Sequence, residues 1–461
     1  MLNWNLDRIR EILGGERSGP PASVAGLGTD GRTIARGALF VALRGPRHDG
    51  HDYLGQAAER GAAAALVSDP RPSPLPTVRV EETRAALLAL AACWRGGFDL
   101  PLGAVAGANG KTTVKNMTAA ILARLGPTLA TEGNQNNDIG IPLTLARLGP
   151  EHRHAVVEIG INRTGEMPPL ARAVAPTAAV VTSISEEHLE GLGDLANVAR
   201  EEGGVYAALP PSGTAVLDAA SPWRTSWTAA TPARRRLLFG GPEGDVRLLA
   251  EPRLGPGGAR FALRLPDGEA TVRLRLLGRH AVHNALAAAA LATALGAPPE
   301  AVAAGLAAVR PAPHRLEPRR LASGGVFLDD CYNANPGSLA AALDTAALWP
   351  GERWCVLGTM GELGPDSPYW HRRAGDAVRA AGFSRLYVLG QEAENAARSF
   401  GQGAEIAAGI EDLLERLATA LARGGPAVLL VKGSRAARLE RVADALAPPA
   451  SKETTHVARV R

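Results

Sequence analysis

Lys111 and Thr112 stand at the end of a glycine-rich run, GANGKTT, spanning Gly107 to Thr113. A lysine and a hydroxyl directly after such a turn are residue types that hold a polyphosphate. Backbone N–H groups of the turn and of the helix start point at the anion, and the helix dipole favours it. Gly107, Asn109, Gly110 and Thr113 would form the cradle. Lys111 would place a charge at the β- and γ-phosphates, and Thr112 would offer a hydroxyl to Mg²⁺. The common loop carries a glycine where this chain has Val105. Spacing alone therefore keeps a chance Gly-Lys-Thr at a helix start as the alternative. Glu158 ends the apolar run HAVVEIG. A carboxylate there suits Mg²⁺, which takes oxygen ligands and shares substrate phosphates. His188 follows the next apolar run and would emerge at the same sheet edge if the two strands are neighbours.

Further polar clusters recur after apolar runs. Asn134, Asn136 and Asn137 lie in TEGNQNNDIGIPLTL, which reads as neither strand nor helix. Asparagines stabilise turns, and they also offer donor and acceptor together to a polar substrate. In DDCYNANPGS, paired acids follow an apolar run, with Asn333 and Asn335 beside them, and an acid at a strand end can hold ribose hydroxyls. Lys432 and Arg435, in VKGSRAARLE, read either as an anion contact or as a solvated basic loop.

The elements that must position these residues are α/β. LGAVAG, HAVVEIG and TAAVVTSIS are continuous apolar runs, the mark of strands covered on both faces. After the glycine loop, Val114, Met117, Ile121 and Leu125 recur at helical spacing. RFALRLPDGEATVRLRL alternates on each side of Pro-Asp-Gly and reads as a hairpin. RWCVLG, SRLYVLG and AVLLVKGS are strands separated by helical stretches, which implies an open doubly wound sheet. The opening run MLNWNLDRIREILGG reads as an amphipathic helix with internal charges rather than a signal peptide. The chain of 461 residues is cut at about 100 and about 310, where Gly/Pro-rich stretches fall. The expected units are 1–100, 101–310 and 311–461.

The formal net charge is +4, with no basic run dense enough to argue for nucleic acid. Three scattered cysteines argue against a disulfide framework or a zinc site. No uncharged apolar run reaches the roughly 18 residues needed to span a membrane. A soluble cytoplasmic protein is expected.

Taken in order, TDGRTIARGALFVALRGPRHDGHDY, GANGKTT, GNQNNDIGIPLTL, EIGINRTGEM, HLEGLG, GRHAVHNALAA, DDCYNANPGSL, LGTMGELG and VKGSR resemble the Mur ligases. These are ATP-dependent amide-forming enzymes of peptidoglycan precursor synthesis. The Asn-rich run and the YNANP box are similar to the branch that adds D-alanyl-D-alanine to UDP-N-acetylmuramoyl-tripeptide. The family uses the short glycine loop, so Val105 belongs to the strand leading into it. The resemblance implies three α/β domains: a uridine-nucleotide domain, a P-loop-type ATPase domain with a mostly parallel sheet, and a Rossmann-like domain carrying the dipeptide. It implies ATP and Mg²⁺, an acyl-phosphate intermediate and a monomer. Carried over by position, Asn284, Arg315 and Asp330 contact the nucleotide, and Asp30 and Arg32 lie by the uridine nucleotide. Lys111, His188 and Glu202 are the catalytic candidates, and Thr112, Glu158 and His188 the metal ligands. Asn134, Asn136, Asn137, Asn333, Asn335, Lys432 and Arg435 are the substrate candidates.

Four positions depart from the family pattern. Glu202 stands where members carry a lysine that is carbamylated into a long carboxylate near a second Mg²⁺. Glu is already a carboxylate but is several bonds shorter. Gly31 replaces a serine, Thr359 replaces an aspartate, and Glu186-Glu187 stand where small or apolar residues are usual. The acids beside His188 would ligate metal or raise its pKa. These departures keep open a nucleotide-binding relative without ligase activity. A sister ligase adding another amino acid is the other alternative, but its D-N-P-R box is absent.

Overall fold

The apolar runs form strands at the centre of a computed structural model that describes residues 3–447. Six strands make a wholly parallel sheet, ordered 235–239, 214–218, 178–181, 102–106, 154–158 and 128–130. Side chains alternate between its faces. Val105, Val156, Val180 and Val216 enter one apolar cluster, and Ala104, Val157, Ala179 and Leu217 the other. That double burial explains why these runs carry no polar alternation. Strands Leu102–Ala106, His154–Glu158 and Ala178–Val181 lie side by side. The residues that follow each strand therefore share one edge, where ligands meet open α/β sheets. The strand that ends at Glu158 and the one that precedes His188 are not neighbours, the condition the sequence reading attached to His188; each instead pairs with Leu102–Ala106, which lies between them.

Helix Lys111–Leu122 lies on one face with Val114, Met117 and Ile121 buried. Helices Arg279–Ala294 and Pro299–Ala308 pack against it. Leu125 departs from the periodicity. It is 39% exposed and lies beyond the helix end, where the chain turns before Gly126-Pro127. The expected hairpin forms from Gly258–Leu265 and Gly268–Leu274, with Phe261 opposite Val272.

The first sheet is five-stranded, and helix Thr83–Arg95 ties it to the central unit. Arg95 is buried and donates to the carbonyls of Val174, Ala175 and Phe98. Two sequence expectations are corrected here. Asn3–Asn5 is a strand paired with Ser23–Ala25, and the helix begins only at Leu6. Met1 and Leu2 lie outside the described residues. The Asn5 side chain caps the helix by accepting from Arg8 N–H, so the asparagine ends one element and starts the next. The second correction is Gly140–Leu145, a short helix inside the run read as irregular. Pro142 falls in its first turn, where no intrahelical N–H is required.

The last sheet orders 317–320, 326–330, 428–432, 353–358, 385–389 and 404–407. It is parallel except for the edge strand Glu317–Arg320. Two separate apolar clusters cover its two faces, as a doubly wound sheet requires. Among the described residues, no helix is long and apolar enough to cross a membrane. Residues 448–461, included in the third expected unit, lie outside the description.

Candidate active site

The turn between strand Leu102–Ala106 and its helix runs through two left-handed glycines, Gly107 (φ 118°) and Gly110 (φ 86°). Neither position has room for a side chain. A Cβ on Gly107 would lie 2.5 Å from Thr182 Oγ1, and one on Gly110 2.5 Å from Asn284 Oδ1. Asn284, carried over as a nucleotide contact, is thereby placed against the loop. The Asn109 carbonyl accepts from the Thr182 and Ser183 hydroxyls, at 2.6 and 3.0 Å.

Lys111 folds back over this turn. Its Nζ donates to the carbonyls of Gly107 and Ala108, and lies 3.3 Å from Glu187 Oε1 and 4.0 Å from Glu202 Oε1. Burial works against the ammonium, but Glu187, Glu202 and Glu158 outweigh it and hold its pKa above the ordinary value. Glu202 is wholly buried. Its Oε2 accepts the Gly107 N–H at 2.7 Å, and desolvation pushes its pKa up to about 7 despite Lys111. Glu187 is also buried and raised, by desolvation first.

Glu158 Oε1 accepts from Asn136 Nδ2 at 2.8 Å and from the Thr112 hydroxyl at 3.2 Å. Its Oε2 and Glu202 Oε1 are buried oxygens with no hydrogen-bond partner. Among the described residues Lys111 is the one cation in ion-pair reach of Glu202 Oε1, and Glu158 Oε2 has no ion pair, so the site is costly without a further cation. The donor set is all oxygen, which is what Mg²⁺ selects. The residues present fit the ion.

The C-terminal unit closes over this edge at two points. Asn109 and Asn335 exchange side-chain hydrogen bonds, at 3.2 and 3.0 Å. Asn335 also caps helix Pro336–Ala346, so the helix start is docked on the glycine loop. His188 Nδ1 lies 2.5 Å from Glu362 Oε2, and Leu189 N–H donates to the Glu362 carbonyl at 2.9 Å. Both residues have left-handed backbones, φ 53° and 63°. Burial lowers the His188 pKa, but Glu362 and Glu187 reverse this and the net direction is up. Of the two acids that precede His188, Glu187 acts on its charge. His188 Nδ1 is engaged by Glu362 rather than by Glu158 or Thr112.

Other candidates take local roles. Asn137 Oδ1 accepts from the Ile139 and Gly140 N–H groups and organises the start of helix Gly140–Leu145. The Asn134 carbonyl accepts from Asn136 N–H. Lys432 is 1% exposed, and its Nζ donates to Asp330 at 2.6 Å and to the Asn333 carbonyl at 3.0 Å. It sits in a buried ion pair, neither in a solvated loop nor against an open anion site. Asp330 also accepts from Leu316 N–H, and its pKa is raised by burial. Arg435 is exposed, 3.9 Å from Glu440. The Arg315 guanidinium lies 4.1 Å from the Tyr332 ring centroid. Asp30 and Arg32 form an exposed pair at 2.8 Å, whose hydrogen bonds hold the Asp30 carboxyl at about 2. Thr113 lies on the loop helix.

Sequence reading passed over Lys115 and Glu362. Lys115 is buried, donating to the Thr131 carbonyl at 2.8 Å and to Asn116 Oδ1 at 2.7 Å. A lysine inside an otherwise apolar helix pattern was the available signal. Glu362 lies in the box LGTMGELG, but its partner was not legible, because only the meeting of two units brings it to His188.

Three family descriptions match the chain: Mur ligase family, catalytic domain over residues 23–92; Mur ligase middle domain over 105–292; and Mur ligase, glutamate ligase domain over 314–435. The UDP-N-acetylmuramoyl-tripeptide–D-alanyl-D-alanine ligase of Escherichia coli K12 is 41% identical over 447 residues, 97% of this chain and 99% of the relative. The enzyme of the same name from Haemophilus influenzae is 34% identical over 453 residues, 96% of this chain and 98% of the relative. Among solved structures, MurF from Acinetobacter baumannii superposes with a TM-score of 0.91 at 32% identity, covering 96% of this chain and 99% of that one. MurF ligase from Thermotoga maritima, solved in complex with ADP, gives 0.82 at 25% identity, covering 92% and 97%. With its phosphate-type loop, its buried carboxylates and its three α/β units matched along nearly the whole length, the chain belongs to the Mur ligase family.

Proposed function

We propose that the chain is the ATP-dependent ligase that joins D-alanyl-D-alanine to UDP-N-acetylmuramoyl-tripeptide. The observation that carries this is the half-buried Lys111 among Glu158, Glu187 and Glu202, on a glycine loop that a second unit reaches through Asn335 and Glu362. Near-full-length likeness to relatives of that name supports the choice of substrates. The ADP complex of a similar structure supports ATP at the loop. In this reading residues 1–100 take the uridine nucleotide through Asp30 and Arg32, 101–310 take ATP, and 311–461 take the dipeptide. The enzyme works as a cytoplasmic monomer.

A carboxylate oxygen of the tripeptide attacks the γ-phosphorus, and the bond to the bridging oxygen breaks to give an acyl phosphate and ADP. The amine of D-alanyl-D-alanine then attacks the acyl carbon. The tetrahedral intermediate expels phosphate, and the new amide nitrogen loses a proton. Catalysis of the first step is mostly positioning and charge neutralisation. Lys111 and the loop N–H groups supply both at the transferred group. Glu187 and Glu202 keep Lys111 charged in a desolvated site. Thr112, Glu158 and Glu202 would hold Mg²⁺, with His188 at the edge of the set, and the ion when bound neutralises phosphate charge. The Asn109–Asn335 and His188–Glu362 bridges bring the dipeptide unit to the loop, where the acyl phosphate forms.

The test is purified protein with ATP, Mg²⁺, UDP-N-acetylmuramoyl-tripeptide and D-alanyl-D-alanine, scoring ADP and pentapeptide product. ADP release that depends on the dipeptide and matches product is expected. ATP binding without dipeptide-dependent ADP release would sink the proposal.

A further inference from the structure

We propose that His314 is a positioning residue for Arg315, fixing its guanidinium where the C-terminal sheet meets the loop helix. This rests on the reading of Arg315 as a nucleotide-phosphate contact. Arg315 is bracketed by two non-glycine residues with left-handed backbones, His314 at φ 61° and Leu316 at φ 48°. Such strain persists only where the surroundings enforce it, and it gathers at functional sites.

The enforcing groups are consecutive residues at the end of strand Val326–Asp330. His314 Nδ1 lies 2.9 Å from Asp329 Oδ2. Leu316 N–H donates to Asp330 Oδ1 at 3.1 Å, and the His314 carbonyl accepts from Tyr332 N–H at 3.1 Å. Asp329 is itself immobile. It is wholly buried, with Arg319 Nη2 2.8 Å from Oδ2 and the Cys331 thiol 3.0 Å from Oδ1. His314, Asp329 and Cys331 are also close enough to suggest a metal site. Both Asp329 oxygens are already taken, however, so the group reads as an anchor.

The anchored segment leaves Arg315 stacked on Tyr332. Among the described residues no carboxylate lies within ion-pair distance of its guanidinium. Its charge is felt at Lys115, on the loop helix of the other unit. Asp330 feels the same charge but lies outside ion-pair contact. A cation clamped on both sides, stacked, and with no carboxylate in contact is pre-ordered to receive an anion.

The experiment titrates ATP into the full chain and measures KM and kcat for four variants. Arg315→Ala is expected to weaken ATP binding about tenfold or more, the loss of a charged hydrogen bond. His314→Ala is expected to lose about as much, and His314→Ala/Arg315→Ala no more than Arg315→Ala alone, because the two act as one unit. His314→Asn, which tolerates the left-handed backbone and keeps a donor for Asp329, is expected to retain binding within about threefold. KM for D-alanyl-D-alanine stays unchanged throughout. The proposal is overturned if His314→Ala binds ATP normally while Arg315→Ala does not, or if the two losses multiply. Unchanged ATP affinity in Arg315→Ala would instead remove the reading of Arg315 itself, and the proposal with it.

Discussion

Glu202→Gln should stabilise the metal-free protein in a pH-dependent way while damaging its activity. Glu202 is wholly buried, with one oxygen on the Gly107 N–H and the other unpartnered. Burial moves its pKa from 4.5 to about 7. Below pH 4.5 the carboxyl is protonated in both folded and unfolded chains and costs nothing. Between 4.5 and 7 the unfolded chain ionises while the folded one keeps its proton, so stability falls as pH rises. Above 7 both are ionised, and the full cost of about 3 kcal/mol is in place. The amide still accepts from Gly107 but never ionises. The melting temperature of Glu202→Gln in EDTA, minus that of the parent, should therefore grow from pH 5 to pH 8.5. The gain should reach roughly 5–10 °C for a unit of this size. Ligase turnover in Mg²⁺ should fall at least about tenfold, as a charge facing Lys111 and the metal is lost. A melting difference that does not change with pH would refute the reasoning, even if activity fell.

Other consequences follow from the same geometry. Turnover of the parent enzyme should be equal in CO₂-depleted and bicarbonate-supplemented buffer, because Glu202 already carries a carboxylate; rescue by bicarbonate would point to a modified lysine elsewhere. Glu158→Gln should raise the Mg²⁺ concentration for half-maximal activity about tenfold, with ATP saturating, since the unpartnered Oε2 becomes an amide. Glu362→Gln should lower the pKa of His188, read from its ring resonances by NMR, because Glu362 is the main group raising it. Arg95→Ala removes the donor from the buried Val174 carbonyl and from the part-buried Ala175 and Phe98 carbonyls, and should cost about 2 kcal/mol in urea denaturation.

The primary sequence determined the strands, the loop and their order. Fully apolar runs such as Leu102–Ala106 leave no solvent face, and two left-handed glycines with a lysine leave one loop geometry. Glu158 and His188 were legible as residues of one sheet edge, because their strands flank Leu102–Ala106 on either side; the partner of His188 was not. The edges of elements were less legible. The helix Gly140–Leu145 depends on Asn137, whose side chain accepts from the N–H groups entering it, and on Pro142 falling in the first turn, a detail finer than periodicity. Only the tertiary structure decided the partners of the charges. Lys432 looked like a surface cation until Asp330, distant in the chain, took it into the interior. Glu362 and Asn335 met His188 and Asn109 because two separately wound sheets close on one edge. Nothing within one element encodes that contact. Hydrophobic period reports which face is buried; it does not report which charge waits on the other side.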